Sequence, residues 1–121
     1  MMARGTVLVV DDDLRFLQTI REVLQEDGYE VAATVGAQAG AVAAAVRPDV
    51  ILLDVMMPGM NGMDVSQQLR HDPRTADIPL IAISADPELL DSPRLAVDGR
   101  LCKPFKNEDL YGLLARWLHK A

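Results

Sequence analysis

The sequence predicts an α/β domain built on a parallel sheet with helices on both faces. Three observations carry that prediction. Short aliphatic runs such as Thr6-Val7-Leu8-Val9-Val10 and Val50-Ile51-Leu52-Leu53 lack polar alternation, as strands buried on both faces do. Segments with helical spacing separate the runs, which implies βα units joined by right-handed crossovers. Chemistry-bearing residues follow the runs rather than interrupt them: Asp11-Asp12-Asp13, Asp54, Ser84 and Lys103.

The elements follow in order. Three aspartates stop the first strand at Val10. Residues 14 to 27 place Leu14, Leu17, Ile20 and Leu24 on one stripe, the pattern of an amphipathic helix, and Gly28 is its expected stop. Tyr29 to Thr34 reads as the second strand. Residues 37 to 46 are Ala-rich and end before Pro48, a helix composition with a breaker. The third strand ends at Asp54, and a Pro/Gly/Asn loop at 58 to 62 leads into a helix through about Arg70. Pro79 to Ser84 is the fourth strand, and Leu101-Cys102 centres a short fifth. Leu110, Leu113, Leu114, Trp117 and Leu118 give the last helix, 107 to 119, with Asn107 as its expected N-cap.

Composition narrows the function classes. The 121 residues suit one domain, expected to span 1–121 with no second functional module. Twelve basic against eighteen acidic residues give a net charge of -6. That disfavours a module holding nucleic acid by phosphate neutralisation. One cysteine excludes an internal disulfide framework. No apolar run approaches the ~18 residues of a membrane span, and no secretory leader is evident. The expectation is a cytoplasmic protein with no nucleic-acid and no membrane partner.

Ligands of parallel sheets bind outside the carboxyl ends of the strands. Asp11, Asp12 and Asp54 would meet there, repel one another and raise each other's pKa. A hard divalent cation such as Mg²⁺ relieves this while keeping positions open for phosphate oxygens. Lys103 adds a positive charge and Ser84 a hydroxyl donor. These are the parts that phosphoryl transfer uses, and a carboxylate can itself be the nucleophile.

The strings Val-Leu-Val-Val-Asp-Asp-Asp (7 to 13), Asp-Val-Ile-Leu-Leu-Asp-Val-Met-Met-Pro-Gly-Met-Asn-Gly (49 to 62), Ile-Ala-Ile-Ser-Ala (81 to 85) and Lys-Pro-Phe (103 to 105) together resemble a response-regulator receiver domain of two-component phosphorelays. The resemblance runs from about Thr6 to Leu118. It implies a flavodoxin-like doubly wound five-stranded sheet of order 2-1-3-4-5. It further implies that Asp54 is the phosphoacceptor, loaded from a phosphohistidine on a sensor histidine kinase or phosphotransfer protein. Asp12, Asp54 and the Met56 backbone carbonyl would bind Mg²⁺ (or Mn²⁺), with Asp11 acting through water. Ser84 and Lys103 would hold the phosphoryl group, Pro104 would follow a cis peptide that aims Lys103, and Met56 and Asp86 would tune the phosphoryl lifetime. The chain would catalyse only its own phosphorylation and dephosphorylation and signal to an unidentified downstream protein by contact.

Two departures bear on output. Receivers usually carry Tyr or Phe three residues before the strand-5 lysine, and here that switch position is Arg100. A guanidinium does not bury as a phenol does without a charge partner. Pro87 can open a helix, whereas Pro93 should break one, so the fourth helix should be short or irregular. The expected consequence is a non-standard signalling face and a monomer or non-standard dimer.

Plainer roles are expected for other residues. Asp13 should cap the first helix. Met56, Met57, Met60 and Met63 should be packing and loop residues, Cys102 a buried small hydrophobe, Trp117 core, and His71 and His119 surface. Two alternatives remain open. One is a phosphorylation-independent receiver-like binding module. The other is a haloacid-dehalogenase-type phosphatase, whose two nucleophile-loop aspartates share the spacing of Asp11 and Asp13; that family needs a later acidic pair at a strand end, where this chain has only Glu108-Asp109 on the last helix.

Overall fold

The computed structural model describes residues 4–57 and 60–118. Five strands form one parallel sheet: β1 (Thr6–Val10), β2 (Glu30–Thr34), β3 (Val50–Asp54), β4 (Leu80–Ser84) and β5 (Gly99–Cys102). Their spatial order is β2-β1-β3-β4-β5, the doubly wound order expected. Five helices connect or follow them: α1 (Leu14–Glu26), α2 (Ala39–Val46), α3 (Gly62–His71), α4 (Pro87–Leu90) and α5 (Asn107–Leu118).

Why strands 1, 3 and 4 are apolar apart from one polar residue at an end is plain from their surroundings. Val7 and Val9 of β1 face a core shared with Leu17, Ile20 and Leu24 of α1 and Leu110 and Leu114 of α5. Leu8 and Val10 face the opposite core, with Ala39 and Ala43 of α2 and Val65 and Leu69 of α3. Each fully buried Leu contributes about 1.5–3 kcal/mol. Trp117 is half-buried at the rim of the α1/α5 core. A third small cluster joins Val55, Ala82, Leu90 and Leu95.

Register sets the working edge. Val10 pairs with Leu53, Asp54 with Ile83, and Ser84 with Cys102. The residues just past these pairs therefore lie side by side across the sheet. Asp13 caps α1 as expected, its carboxylate accepting the N–H groups of Arg15 and Phe16 at 3.0 and 3.4 Å. Gly28, with φ +92°, takes the left-handed position that ends this helix.

Local chemistry moved several boundaries. A 3₁₀ turn at Gly36–Gln38 precedes α2, which is shorter than its Ala-rich segment. Arg47 adopts a left-handed conformation (φ 52°) at the end of α2. Asn107 is not the cap of α5 but its first helical residue. The Lys106 N–H instead donates to the Asp109 carboxylate at 3.2 Å, half of a capping box. Cys102 is exposed rather than buried. It sits on edge strand β5, where alternation sends Leu101 inward and Arg100 and Cys102 outward. His71 is exposed, and His119 lies outside the described residues.

The α4 region departs furthest from a regular βα unit. Pro87 opens the helix, Asp86 caps it by accepting the Glu88 N–H at 2.9 Å, and it ends at Leu90, before Pro93. Residues 91 to 98 are then strapped to α3 by side chains. Ser66 Oγ accepts the Ala96 N–H at 3.2 Å and donates to the Met63 carbonyl at 2.7 Å. Gln67 donates to the Arg94 carbonyl, and Arg94 pairs with Asp64 at 2.9 Å. The Arg70 guanidinium donates to the carbonyls of Ala76, Ile78 and Ala96 and to Asp98. Asp98 in turn accepts the Leu80 N–H at the start of β4. Among the described residues no helix is long and apolar enough to cross a membrane.

Candidate functional site

The carboxyl ends of β1, β3, β4 and β5 enclose a cleft of about 450 Å³ lined by Asp11, Asp12, Asp13, Asp54, Met56, Ala85 and Lys103. A larger hollow of about 640 Å³ runs along α1 and β2, shares none of these residues, and holds no aspartate or lysine in its lining. The aspartates and the lysine that follow the strands line the smaller one.

Asp54 ends β3 and is 7% exposed. Its Oδ1 accepts the Met56 N–H at 2.8 Å, and its Oδ2 receives the Lys103 ammonium at 3.0 Å. Lys103 is held from the backbone side, its N–H donating to the Ser84 carbonyl at 2.8 Å, and the Lys103–Pro104 peptide is cis. The same ammonium lies 3.9 Å from the centre of the Phe16 ring.

Asp11 is 2% exposed. Its Oδ1 accepts the Asp13 N–H at 2.9 Å, while its Oδ2 is buried without a hydrogen-bond partner. Burial pushes the Asp11 carboxyl up to about 7; the hydrogen bond that its protonated form makes to Asp54, and the Asp54 charge, push the same way. The ionised form of that oxygen has no donor among the described protein groups, and a proton or a cation would supply a partner.

Asp12 lines the cleft but directs Oδ1 to the Gly36 N–H at 3.0 Å, so the 3₁₀ turn before α2 holds its carboxylate. Among the described residues no group of three or more His, Cys, Asp or Glu side chains is arranged to hold a metal ion. Mg²⁺ does not require such a cage, since it takes one or two carboxylates and keeps its waters. A partnerless buried oxygen beside Asp54 fits that demand.

The structure also separates residues the sequence grouped. Ser84 is fully buried, its Oγ accepting the Asp86 N–H at 3.0 Å; Ala85, not Ser84, lines the cleft. The Asp86 carboxylate is committed to capping α4. Met56 is 52% exposed at the cleft mouth, whereas Met57 is core. Asp13 lines the cleft beside Asp11 but spends its Oδ1 on the first turn of α1. Arg100 is exposed, and its Nε donates to the Leu90 carbonyl at the end of α4. Phe16 is the site residue that the sequence analysis missed; its signal was an aromatic in the first helical turn after the acidic triplet.

A five-stranded doubly wound sheet with a lysine-paired aspartate at its carboxyl edge defines the class: a doubly wound α/β domain with a carboxylate-lined cleft at the carboxyl edge of its sheet. The family model for the response regulator receiver domain matches residues 7–115, and the chain belongs to that family. Among curated relatives, the DNA-binding response regulator MtrA of Mycobacterium tuberculosis H37Rv is 36% identical over 111 residues, 88% of this chain and 47% of the relative. The phosphate regulon transcriptional regulatory protein PhoB of Pseudomonas aeruginosa is 34% identical over 98% of this chain and 54% of its own length. The chain thus spans about half the length of the curated relatives it matches.

Two solved structures resemble it along nearly their whole length. The chemotaxis protein CheY4 of Vibrio cholerae superposes with a TM-score of 0.84 at 32% identity, covering 97% of this chain and 99% of that one. The receiver domain of sensor histidine kinase PA1611 from Pseudomonas aeruginosa PAO1, solved with a magnesium ion coordinated in its active-site cleft, gives a TM-score of 0.85 at 29% identity, covering 96% and 98%.

Proposed function

We propose that this receiver accepts a phosphoryl group on Asp54. The observation that carries the reading is the Lys103–Asp54 pair, 3.0 Å apart, in a cleft that also holds the partnerless oxygen of Asp11. An oxygen of Asp54 attacks phosphorus, the P–N bond of a phosphohistidine on a sensor kinase or phosphotransfer protein breaks, and the imidazole leaves with the electron pair and takes up a proton. Lys103 pairs with Asp54 at rest and with the phosphoryl oxygens afterwards. Ser84, buried next to the cleft residue Ala85, keeps its hydroxyl proton unused in the bond from Asp86. We assign it to donate to the phosphoryl group by turning toward the cleft. Asp11, Asp12, Asp54 and the Met56 carbonyl are the groups that would hold Mg²⁺ or Mn²⁺, which when bound supplies positive charge to the phosphoryl oxygens. Met56, exposed at the cleft mouth, is the residue we assign to limiting water access to the aspartyl phosphate, with Asp86 acting through the α4 cap.

The output we infer for this receiver domain is protein contact in the cytoplasm. The acidic balance of the chain supports that over direct nucleic-acid binding. The four-residue α4 and the outward Arg100 support signalling without the symmetric dimer through α4, β5 and α5. A beryllofluoride-driven dimer through that face, detected by sedimentation and mapped by interface substitutions, would defeat this part of the reading.

Intact mass after treatment with acetyl phosphate and Mg²⁺ tests the central claim. Wild type should gain one phosphoryl group and Asp54→Asn none. No gain under saturating donor and metal would favour the phosphate-independent binding module instead.

A further inference from the structure

We propose that Phe16 is a positioning residue for phosphoryl transfer, seating the Lys103 ammonium over the acceptor. The inference rests on Asp54 being that acceptor. Among the described residues two groups meet the ammonium: Asp54 Oδ2 at 3.0 Å and the Phe16 ring, 3.9 Å from nitrogen to centroid. They differ in kind. The carboxylate takes an N–H bond. The ring face attracts the charge through its quadrupole and has no lone pair to occupy a donor. An ammonium has three donors, so a ring seat fixes its place while leaving N–H groups for incoming phosphoryl oxygens.

The seat is itself fixed. Asp13 accepts the Phe16 N–H at 3.4 Å, which places Phe16 in the first turn of α1, and the half-buried ring packs against the core that includes Leu17, Leu101 and Leu110. The Lys103 side chain is 28% exposed, so the contact is partly shielded from water, where such contacts are strongest. Without the ring, a flexible four-carbon stem would be held at its tip by Asp54 alone. That partner loses its free carboxylate charge when it reacts. The ring keeps the ammonium in the cleft through the exchange, a gain in preorganisation rather than in ground-state binding.

Three variants test this. Phe16→Leu keeps apolar bulk and removes the ring; Phe16→Tyr keeps the ring; Lys103→Met removes the ammonium. With acetyl phosphate as donor, the Asp54 oxygen takes the phosphoryl group and acetate leaves. Phe16→Leu should slow phosphorylation per folded molecule about fivefold, and Phe16→Tyr should recover most of the rate. In a Lys103→Met background, Phe16→Leu should change nothing further. An equal loss in both backgrounds, or no loss with Lys103 present, would overturn the proposal.

A readout without donor separates this inference from the acceptor reading. The Lys103 ε-methylene protons should show an upfield ring-current shift in wild type and Phe16→Tyr, lost in Phe16→Leu. Absence of that shift in wild type overturns the seat. A wild type that keeps the shift yet gains no phosphoryl group overturns the acceptor reading.

Discussion

The carboxyl edge of the sheet and the α4–β5 flank solve the same problem, holding side chains in place, by different means. At the edge, backbone register does the work. Val10↔Leu53, Asp54↔Ile83 and Ser84↔Cys102 pairing brings Asp11, Asp54 and Lys103 together with few side-chain supports. On the flank the helix is only four residues long, and Ser66, Gln67 and Arg70 of α3 hold residues 91 to 98 one carbonyl or amide at a time. Parallel pairing tolerates variation beside it, because the sheet's hydrogen bonds do not depend on what covers its flank. A receiver can therefore keep its chemistry while its lateral face is rebuilt.

Three perturbations can break or sharpen that contrast. The largest effect is expected at Gly62, the first residue of α3. A Cβ there would lie 2.5 Å from the Val55 Cα and 2.7 Å from the Val55 carbonyl oxygen. Backbone cannot rotate away as a side-chain tip can. Gly62→Ala should cost about 3 kcal/mol or more in denaturant unfolding, because it wedges apart the loop that follows Asp54. A loss under ~1 kcal/mol would mean that this loop is softer than its register implies.

Arg70 probes the flank. Arg70→Met keeps an apolar stem but removes the donors to three carbonyls and Asp98. A cost of about 2 kcal/mol is expected, with faster hydrogen exchange at the amides of Ala96 and Leu80. Phosphorylation per folded molecule should stay near wild type if edge and flank are independent. A large fall in that rate would abolish the contrast drawn above.

The smallest effect is a pH dependence carried by Asp11. Its carboxyl is pushed up to about 7 in the folded protein from an ordinary value of 3.8, mainly by burial. The folded state therefore holds this proton more tightly than the unfolded chain does. The stability it contributes is full below about pH 4 and is lost as pH rises through about 7. Without Mg²⁺, the melting temperature of wild type relative to Asp11→Asn should fall by about 5 °C from pH 5 to pH 8. Millimolar Mg²⁺ should restore it at pH 8 if the folded site holds the ion, because a ligand of the folded state alone stabilises that state. A flat difference between the two proteins across that range would show that Asp11 stays ionised throughout.

Much of this was legible along the chain. Aliphatic runs ending on Asp, Ser and Lys announce both the strands and the site, since parallel strands put the next residue at the binding edge. Asp13 as a cap and the early end of α4 follow from local preference at Asp and Pro. What stayed hidden depends on partners distant in sequence or on fine backbone geometry. Asp12 bonding to Gly36, Arg70 spanning two loops and Phe16 meeting Lys103 are set by tertiary packing. The turn at 36 to 38, the left-handed Arg47 and the shift of the α5 cap from Asn107 to Lys106 depend on one-residue choices that periodicity does not resolve. Cys102 was misread because a small thiol is usually buried, and the two-residue length of its strand signal gave no face.

That misreading has a practical side. Cys102 is the chain's one cysteine, it is exposed, and it immediately precedes Lys103 on the edge strand. A thiol-reactive fluorophore or nitroxide would attach there without any engineered cysteine. It would sit outside the lining of the cleft yet share a backbone with the lysine that meets Asp54. The unmodified protein thus carries its own attachment point for testing whether β5 responds when a phosphoryl donor is added.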